Sequence, residues 1–542
     1  MKSTQENVAQ TDVLVIGAGP AGAALALKTA LSGLSVRILE QGGSIDATLR
    51  ERSQQSHELL AAADFAPTEK LRQAAADYPV DDADSDMRPL MWNGLGGSAA
   101  LYAGAYPRLK PSDFRVRSLD GVADDWPLDY EELAPHYTES ERLFGVAGLS
   151  GNPAYPPREE FPRNPLPIRK IGERISEAHD RLGWHWWPST SATLGRAFDG
   201  IANCTVHAEC PNSCPERTDK QSCHGILQRA RAAGAEVTDN ARVCRILTES
   251  GKAVGAEYLD AFGSLHTAYA KTVVIAANGL GTARLLLLSG GSAQPAGLAN
   301  SSGLVGKNLM FHPFAVVSGT FPERVDGIET NYENAINSHE FYETDISRGF
   351  VRGSNWALCS AGGPLRTALA LNTWGPEHSP AFSNTFGHGA FWAIFGEDLP
   401  EESNHVTLDP TARDSSGIPG VKVTYKFSEN SRRLIEFSAE KAAQSLAEAG
   451  ASDVQQFLFV RDAGWHLLGT ARMGTDPDRS VVNPWGETHD VENLFIADGS
   501  VFVTAGAVNP TNTIVALALR TADHIVERLH AQKEEHHEAV AI

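Results

Sequence analysis

Cysteine is scarce in this chain, with six in 542 residues, and so few thiols imply no disulfide framework. No apolar run reaches the 18 residues that a membrane-spanning helix needs. The first ten residues, MKSTQENVAQ, lack the apolar core of a secretion signal. Positive charge is also short. Forty-six Lys and Arg face 67 Asp and Glu, for a net charge of −21. That balance argues against nucleic acid and anionic membrane surfaces as partners. A cytoplasmic location is the expectation, with periplasmic export alongside a signal-bearing partner as the alternative. The rest is the composition of a globular enzyme, 42% hydrophobic and 21% charged, in a chain long enough for more than one domain.

The strongest local pattern runs from Thr11 to Gln41. Val13 to Ile16 reads as a strand buried on both faces. Gly17-Ala18-Gly19-Pro20-Ala21-Gly22 follows at once and opens an Ala/Leu-rich helix to about Leu31. A second strand, Val36 to Leu39, ends in Glu40. Gly17 permits the tight turn, Gly19 lets the backbone approach a pyrophosphate, and Gly22 lets helix and strand pack closely. The N–H groups opening the helix, at Ala21 and onward, face the phosphates. Glu40 is placed to accept hydrogen bonds from a ribose diol. A glycine-rich turn in an ordinary α/β fold is the bland alternative, but the strand, the helix and the acid together point to dinucleotide binding.

Further along, residues 44–90 read as helical and polar, and the acidic DDADSD at 81–86 as a solvated loop. The small residues of WNGLGGSAALYAGAYPRLKPSDF (92–114) allow a backbone to lie against something flat or phosphorylated, or to pack tightly. Residues 125–145 predict a helix behind an Asp129 N-cap. Six prolines between Asn152 and Pro167 predict an extended connection. Trp184-His185-Trp186-Trp187 reads as a buried strand, with His185 a core or sheet residue rather than a ligand. A helix over 225–233, a strand at Glu236-Val237, a hairpin-like pair after Ala241 and a buried strand over Thr272–Ala276 follow, then a helix opening near Thr282. Residues 315–460 read mainly as strands and loops of a substrate domain, with hairpin strands in 396–425 and an amphipathic helix over 428–449. EEHHE at 534–538 reads as a solvated helix end, with metal binding as the alternative.

These blocks, with VVIAANGLGTARLLLLS, GLVGKNLMFHP, HLLGTARMG, LFIADGSVF and NPTNT, occur in the order of one family. The chain resembles the glucose–methanol–choline (GMC) flavoprotein oxidoreductases over nearly its whole length. It is most similar to bacterial FAD-dependent sugar and glucoside dehydrogenase large subunits, and more distantly to pyranose-oxidase-like enzymes. The resemblance implies an α/β protein, α+β overall. A Rossmann-type FAD-binding domain (1–115, 200–315 and 455–542) would carry a discontinuous substrate domain (116–199 and 316–454) built on an antiparallel sheet with helices. It implies FAD against Gly96, Gly97, Ser98, Tyr102, Ala103, Val243, Ala277, Asp498 and Thr511, besides the turn residues and Glu40. Leu101 stands near the point where pyranose oxidases carry a flavin-linked histidine, so the expected FAD is non-covalent. His466 matches the family's catalytic histidine and Asn509 its hydrogen-bonding partner. A histidine whose unperturbed pKa is near 6.5 is a competent base at neutral pH.

The implied reaction oxidises a secondary alcohol of a sugar or glycoside, with C3 as a candidate position, and passes electrons to an external acceptor. A small subunit or a cytochrome is the expected partner. An oxygen-using oxidase and a non-catalytic flavoprotein are the alternatives. Trp356, Trp374, His388 and Trp392 are candidates for stacking on the sugar. Cys204-x5-Cys210-x3-Cys214 brings three thiols within eleven residues, a soft donor set suited to iron–sulfur or zinc. The resemblance implies a [3Fe–4S] cluster. A zinc site completed by Cys223 and a metal-free loop stay open, because Glu216-Arg217-Thr218-Asp219 replaces the family's Gly-Ala segment.

Overall fold

A computed structural model describes residues 10–43, 77–100, 102–192, 221–292, 294–325, 335–360, 367–368 and 371–540. The strand β1 (Thr11–Ile16) sends Val13 and Val15 to one face and Leu14 and Ile16 to the other. Both faces are apolar, so the strand can only lie inside. It pairs in parallel with β2 (Val36–Leu39) and with the second half of β8 (Leu265–Ile275). β5 (Glu236–Thr238) extends the sheet beyond β2, and β16 (Leu494–Ile496) pairs with β8. The first half of β8 instead runs antiparallel to β7 (Lys252–Leu259), which pairs with β6 (Arg242–Glu249). That ribbon packs Ile246, Ala253 and Ala256 in the cluster of Leu14 and Ile16. Helix α1 (Pro20–Leu31) covers the Val13–Val15 face together with Val515, Ala518 and Leu519 of a long terminal helix. Each fully buried Val, Leu or Ile contributes roughly 1.5–3 kcal/mol. The two packed faces thereby fix the strand end from which Gly17 departs.

Helix α2 (Tyr130–Phe144) starts at Asp129, whose carboxylate accepts from Glu132 N at 2.9 Å while Glu132 returns a bond to Asp129 N. Its Leu133 and Tyr137 lie in the same apolar cluster as the parallel sheet, with Trp126 and Leu128 before it. The sequence boundaries assign this segment to the substrate half, whereas its packing is with the dinucleotide half.

A second, antiparallel sheet has the order β15 (Ser452–Phe457), β9 (Phe314–Thr320), β12 (Gly389–Gly396), β11 (Ser354–Ser360), β10 (Ile336–Ser338), β4 (Trp187–Pro188). Helices α3 (Arg169–Leu182) and α6 (Glu429–Glu448) cover one face; α4 (Gln221–Ala232), α5 (Asn278–Leu288) and the terminal α7 (Thr511–Val540) belong with the first sheet. Under α3 and α6 lie Ala315, Val317, Trp356, Leu358, Trp392 and Ile394. The alternate residues Phe314, Val316, Ala357, Cys359, Phe391, Ala393 and Phe395 face the other way. β13 (His405–Arg413) and β14 (Pro419–Tyr425) form a third sheet with β3 (Val80–Ser85).

Some expectations need correction. The acidic run is strand rather than loop. β3 pairs in parallel with β14, and its carboxylates are answered by cations, Asp82 by Arg88 and Arg461 and Asp84 by Lys422. Of the Trp184–Trp187 stretch only Trp187 is strand, and its side chain is half-buried. His185 is bonded within the fold, its Nδ1 accepting from His339 N at 3.0 Å and its Nε2 standing 2.9 Å from Asn152 Oδ1. EEHHE lies in α7. The polar stretch 44–76, Leu101 and Cys204, Cys210 and Cys214 lie outside the described residues. Among the described residues no helix is long and apolar enough to cross a membrane.

Candidate active site

β1 hands over to α1 through Gly17, where a Cβ would stand 2.3 Å from the Ala276 carbonyl oxygen at the end of β8. α1 then starts behind Gly19, which offers no side-chain cap, and has no acidic residue in its first turn, so its first N–H groups are free for an anion. Glu40 closes β2. Its Oε2 accepts from Ala18 N at 2.8 Å and its Oε1 from Gly42 N at 3.0 Å, and burial pushes the carboxyl up to about 7 against those bonds. Gly96 N donates to Ala18 O at 3.0 Å and lays the LGGS turn against the GAGPAG turn.

These residues open into one cavity of about 1030 Å³, at the upper end of the roughly 300–1,000 Å³ of a small-molecule site. Its wall includes Gly17, Gly19, Ala21, Glu40, Gly97, Ser98, Tyr102, Ala103, Val243, Ala277, Asp498 and Thr511, and also His466 and Asn509. Gly22 and Gly96 do not line it. Gly22 faces the Gly17 carbonyl, where a Cβ would stand only 2.1 Å away, and Gly96 serves as the clasp to Ala18. Both support the wall from behind. Asp498 reaches the cavity, but its carboxylate is engaged. Oδ1 accepts from Ser500 N at 2.9 Å and Oδ2 from Thr282 Oγ1 at 2.5 Å, which ties the end of β16 to α5.

His466 and Asn509 arrive from separate loops, the second just ahead of α7. Asn509 Nδ2 stands 3.5 Å from His466 Nε2, and the other ring nitrogen, Nδ1, stands 2.8 Å from Nδ1 of His312. His312 Nε2 in turn donates to the Gly506 carbonyl at 2.8 Å. Burial and the neighbouring His312 hold His466 well below its ordinary value, and burial takes His312 to about 4, so both rings are neutral near pH 7.

A further wall is the face of the second sheet turned away from α3 and α6. Phe395 pairs with Phe314, Ala393 with Val316 and Phe391 with Ser318, and Cys359 pairs with Phe391 on its other side. Phe457, Val460, Asp462 and Trp465 complete it. None of the four expected stacking residues lies there. Trp356 and Trp392 are fully buried, because they sit one residue out of phase with the cavity-facing row. Trp374 is 89% exposed, and His388 gives its Nδ1 to the Phe321 carbonyl. His312 and the Phe314–Ser318 row were not singled out in the sequence. The signals were the histidine in the GLVGKNLMFHP block and the alternation immediately after it.

Among the described residues no cluster of three or more His, Cys, Asp or Glu is arranged to hold a metal ion. Cys223, the fourth thiol of the zinc alternative, is packed in the apolar cluster of α1, and burial pushes its thiol up to about 12. That is the environment of an inert thiol.

Two family models described as GMC oxidoreductase match the chain, over residues 11–314 and 400–518. A 2-methyl-1,2-propanediol dehydrogenase of Mycolicibacterium austroafricanum is 40% identical over 531 residues, covering 96% of each chain. The fructose dehydrogenase large subunit of Gluconobacter japonicus is 30% identical over 550 residues, covering 96% of this chain and 98% of that one. Among solved structures, pyridoxine 4-oxidase from Mesorbium loti superposes with a TM-score of 0.63 at 18% identity, over 95% of this chain and 99% of that one. This last likeness speaks to the fold.

Proposed function

The chain belongs to the GMC oxidoreductase family, whose members use FAD on alcohol groups, and from that premise we propose the specific roles of its residues and its substrate class. One observation carries the proposal: His466 Nε2 and Asn509 Nδ2 converge at 3.5 Å on the wall of the same cavity that opens at the GAGPAG turn. The cradle fits FAD. Uncapped N–H groups at α1 suit a pyrophosphate, Glu40 stands at the end of β2, and the cavity is continuous to His466. When bound, FAD supplies the two-electron acceptor that takes the carbinol hydrogen as hydride.

The protein's share is the proton and the geometry. His466 takes the hydroxyl proton at Nε2, and Asn509 donates from Nδ2 to the hydroxyl oxygen. Neutral His466 is already in the basic form, and an amide donor does not titrate, so the pair stays competent over a wide pH range. No histidine stands at position 101, which supports non-covalent attachment of the flavin.

The substrate class we propose is a sugar or glycoside hydroxyl, supported by the likeness to the fructose dehydrogenase large subunit. A second reading has its own observation. Phe314, Val316, Phe391, Ala393 and Phe395 give this wall few hydrogen-bonding groups, which suits a compact, branched alcohol or diol, as the name of the 40% relative says of that protein. Both of these relatives are named dehydrogenases, which supports electron delivery to an external acceptor. The test is anaerobic bleaching of the flavin by fructose, a methyl glucoside and 2-methyl-1,2-propanediol in turn. Bleaching by a sugar supports the first reading, bleaching by the diol alone supports the second, and bleaching by no alcohol sinks both. Peroxide formed in air at the rate of turnover would make the protein an oxidase.

A further inference from the structure

We propose that His312 is a positioning residue that fixes the tautomer of His466, so that Nε2 carries its lone pair into the cavity. The argument is one of counting hydrogens along a chain of three groups. The Gly506 carbonyl can only accept, so the hydrogen in the 2.8 Å contact belongs to His312 Nε2. A neutral imidazole has one N–H, so Nδ1 of His312 is bare. That bare nitrogen stands 2.8 Å from Nδ1 of His466, and one proton fits between them. His466 Nδ1 must supply it. The remaining nitrogen of His466, Nε2, is then the acceptor, and it is the atom that faces Asn509. The burial that keeps both rings neutral is what makes the counting hold.

The other end of the chain matters as much. Gly506 lies three residues before Asn509, so His312 ties the base to the loop that carries its partner. That loop is anchored from the other side as well. Ala507 N donates to Tyr342 Oη at 3.1 Å, Tyr342 Oη donates to Asp113 Oδ2 at 2.8 Å, and Thr504 Oγ1 donates to the Asp113 carbonyl at 2.9 Å. Asp113 itself is held by Arg352, and both are fully buried. His312 is therefore the link through which a loop anchored on both sides orients the proton acceptor.

In the reaction the substrate O–H bond breaks and an Nε2–H bond forms on His466. With FAD bound, the carbinol hydrogen would leave as hydride to the cofactor, and the electron pair freed on oxygen would close the C=O bond. The imidazolium so made keeps its Nδ1–H, which now donates to a bare Nδ1 in a stronger, charge-assisted bond. His312 neither gains nor loses a proton.

The inference rests on the base role proposed for His466, and its test is separable from that role. Histidine labelled with ¹⁵N in the flavin-loaded protein reports which nitrogen is protonated, with His466→Gln identifying the His466 signals. At pH 7, Nδ1 should be protonated and Nε2 bare. His312→Asn keeps an acceptor near the same place and should keep that pattern. His312→Leu should mix the two tautomers and lower kcat about 10- to 100-fold, the usual cost of losing such a support, with little change in KM. A wild-type spectrum with Nε2 protonated overturns the inference without needing any variant at 312. So does a His312→Leu protein with the wild-type pattern and wild-type kcat, or a His312→Asn protein that has lost the pattern. A flavin that no alcohol bleaches would overturn the proposed function while leaving the tautomer readable.

Discussion

Replacing Gly97 by alanine tests whether the two glycine turns really meet across the cofactor site. Gly97 has φ +55°, a left-handed conformation that costs an L-residue about 1–2 kcal/mol. An alanine Cβ there would stand 2.8 Å from the Gly19 Cα, closer than real Cβ contacts come. The turn cannot simply swing away, because its neighbour Gly96 is hydrogen-bonded to Ala18 O. Relieving the contact means moving one turn by somewhat under an ångström, which adds about 1 kcal/mol, the scale of mild overpacking. The sum is about 2–3 kcal/mol, or roughly a 30- to 150-fold loss of FAD affinity if the strain falls on the bound state. Titrating apoprotein with FAD by fluorescence quenching reads the affinity, and a thermal melt of the apoprotein reads the fold. Gly22→Ala is the contrast. Its Cβ would strike the Gly17 carbonyl behind the wall, so it should lower the melting temperature of the apoprotein. A Gly97→Ala protein that binds FAD within threefold of wild type would refute the apposition of the two turns.

Four further outcomes are expected. His466→Gln should retain the flavin yet slow its reduction by the best substrate about 10²- to 10⁴-fold, the range for a lost general base; Asn509→Ala should slow it about 10²- to 10³-fold, as loss of one preorganised donor does. Stopped-flow bleaching measures both. His185 is held at about 4 by burial, below its unfolded value near 6.5. Its contribution to stability is full above pH 6.5 and is lost as the pH falls toward 4, because the unfolded chain takes up the proton first. The stability advantage of wild type over His185→Gln should therefore narrow by about 1.5 kcal/mol between pH 6.5 and 5 in urea melts. If the Cys204–Cys214 thiols hold an iron–sulfur cluster, acid-labile sulfide and about three irons per flavin should be found and lost in Cys210→Ser. Zinc, or no metal, in that assay excludes the iron–sulfur cluster.

The parts of the site that could be read directly from the chain are those whose physics is local. Gly17 to Glu40 is one continuous βαβ stretch, and Asp129 with Glu132 caps its own helix, so neighbours in sequence settle both. β3 resisted because a strand of aspartates forms only where another strand and enough cations meet it. Apart from Arg88, those partners, Val421 to Tyr425 with Lys422 among them and Arg461, lie more than 300 residues away. The substrate wall failed for a different reason. β9, β11 and β12 are apolar on both faces, one against α6 and one against the cavity, so period-2 alternation shows that two rows exist without showing which row is the wall. Choosing the tryptophans picked the wrong row by one residue.

The pair proposed for catalysis shows how far a motif reaches. His466 and Asn509 are legible because HLLGTARMG and NPTNT stand where the resembled family carries its histidine and that residue's partner. Which nitrogen of His466 is bare cannot be legible there. It is set by a carbonyl at Gly506 acting through His312, two groups 194 residues apart that only the fold brings into line. A proton's position is a property of the next neighbour out, and that neighbour is where variation between otherwise similar active sites can act without touching either motif residue.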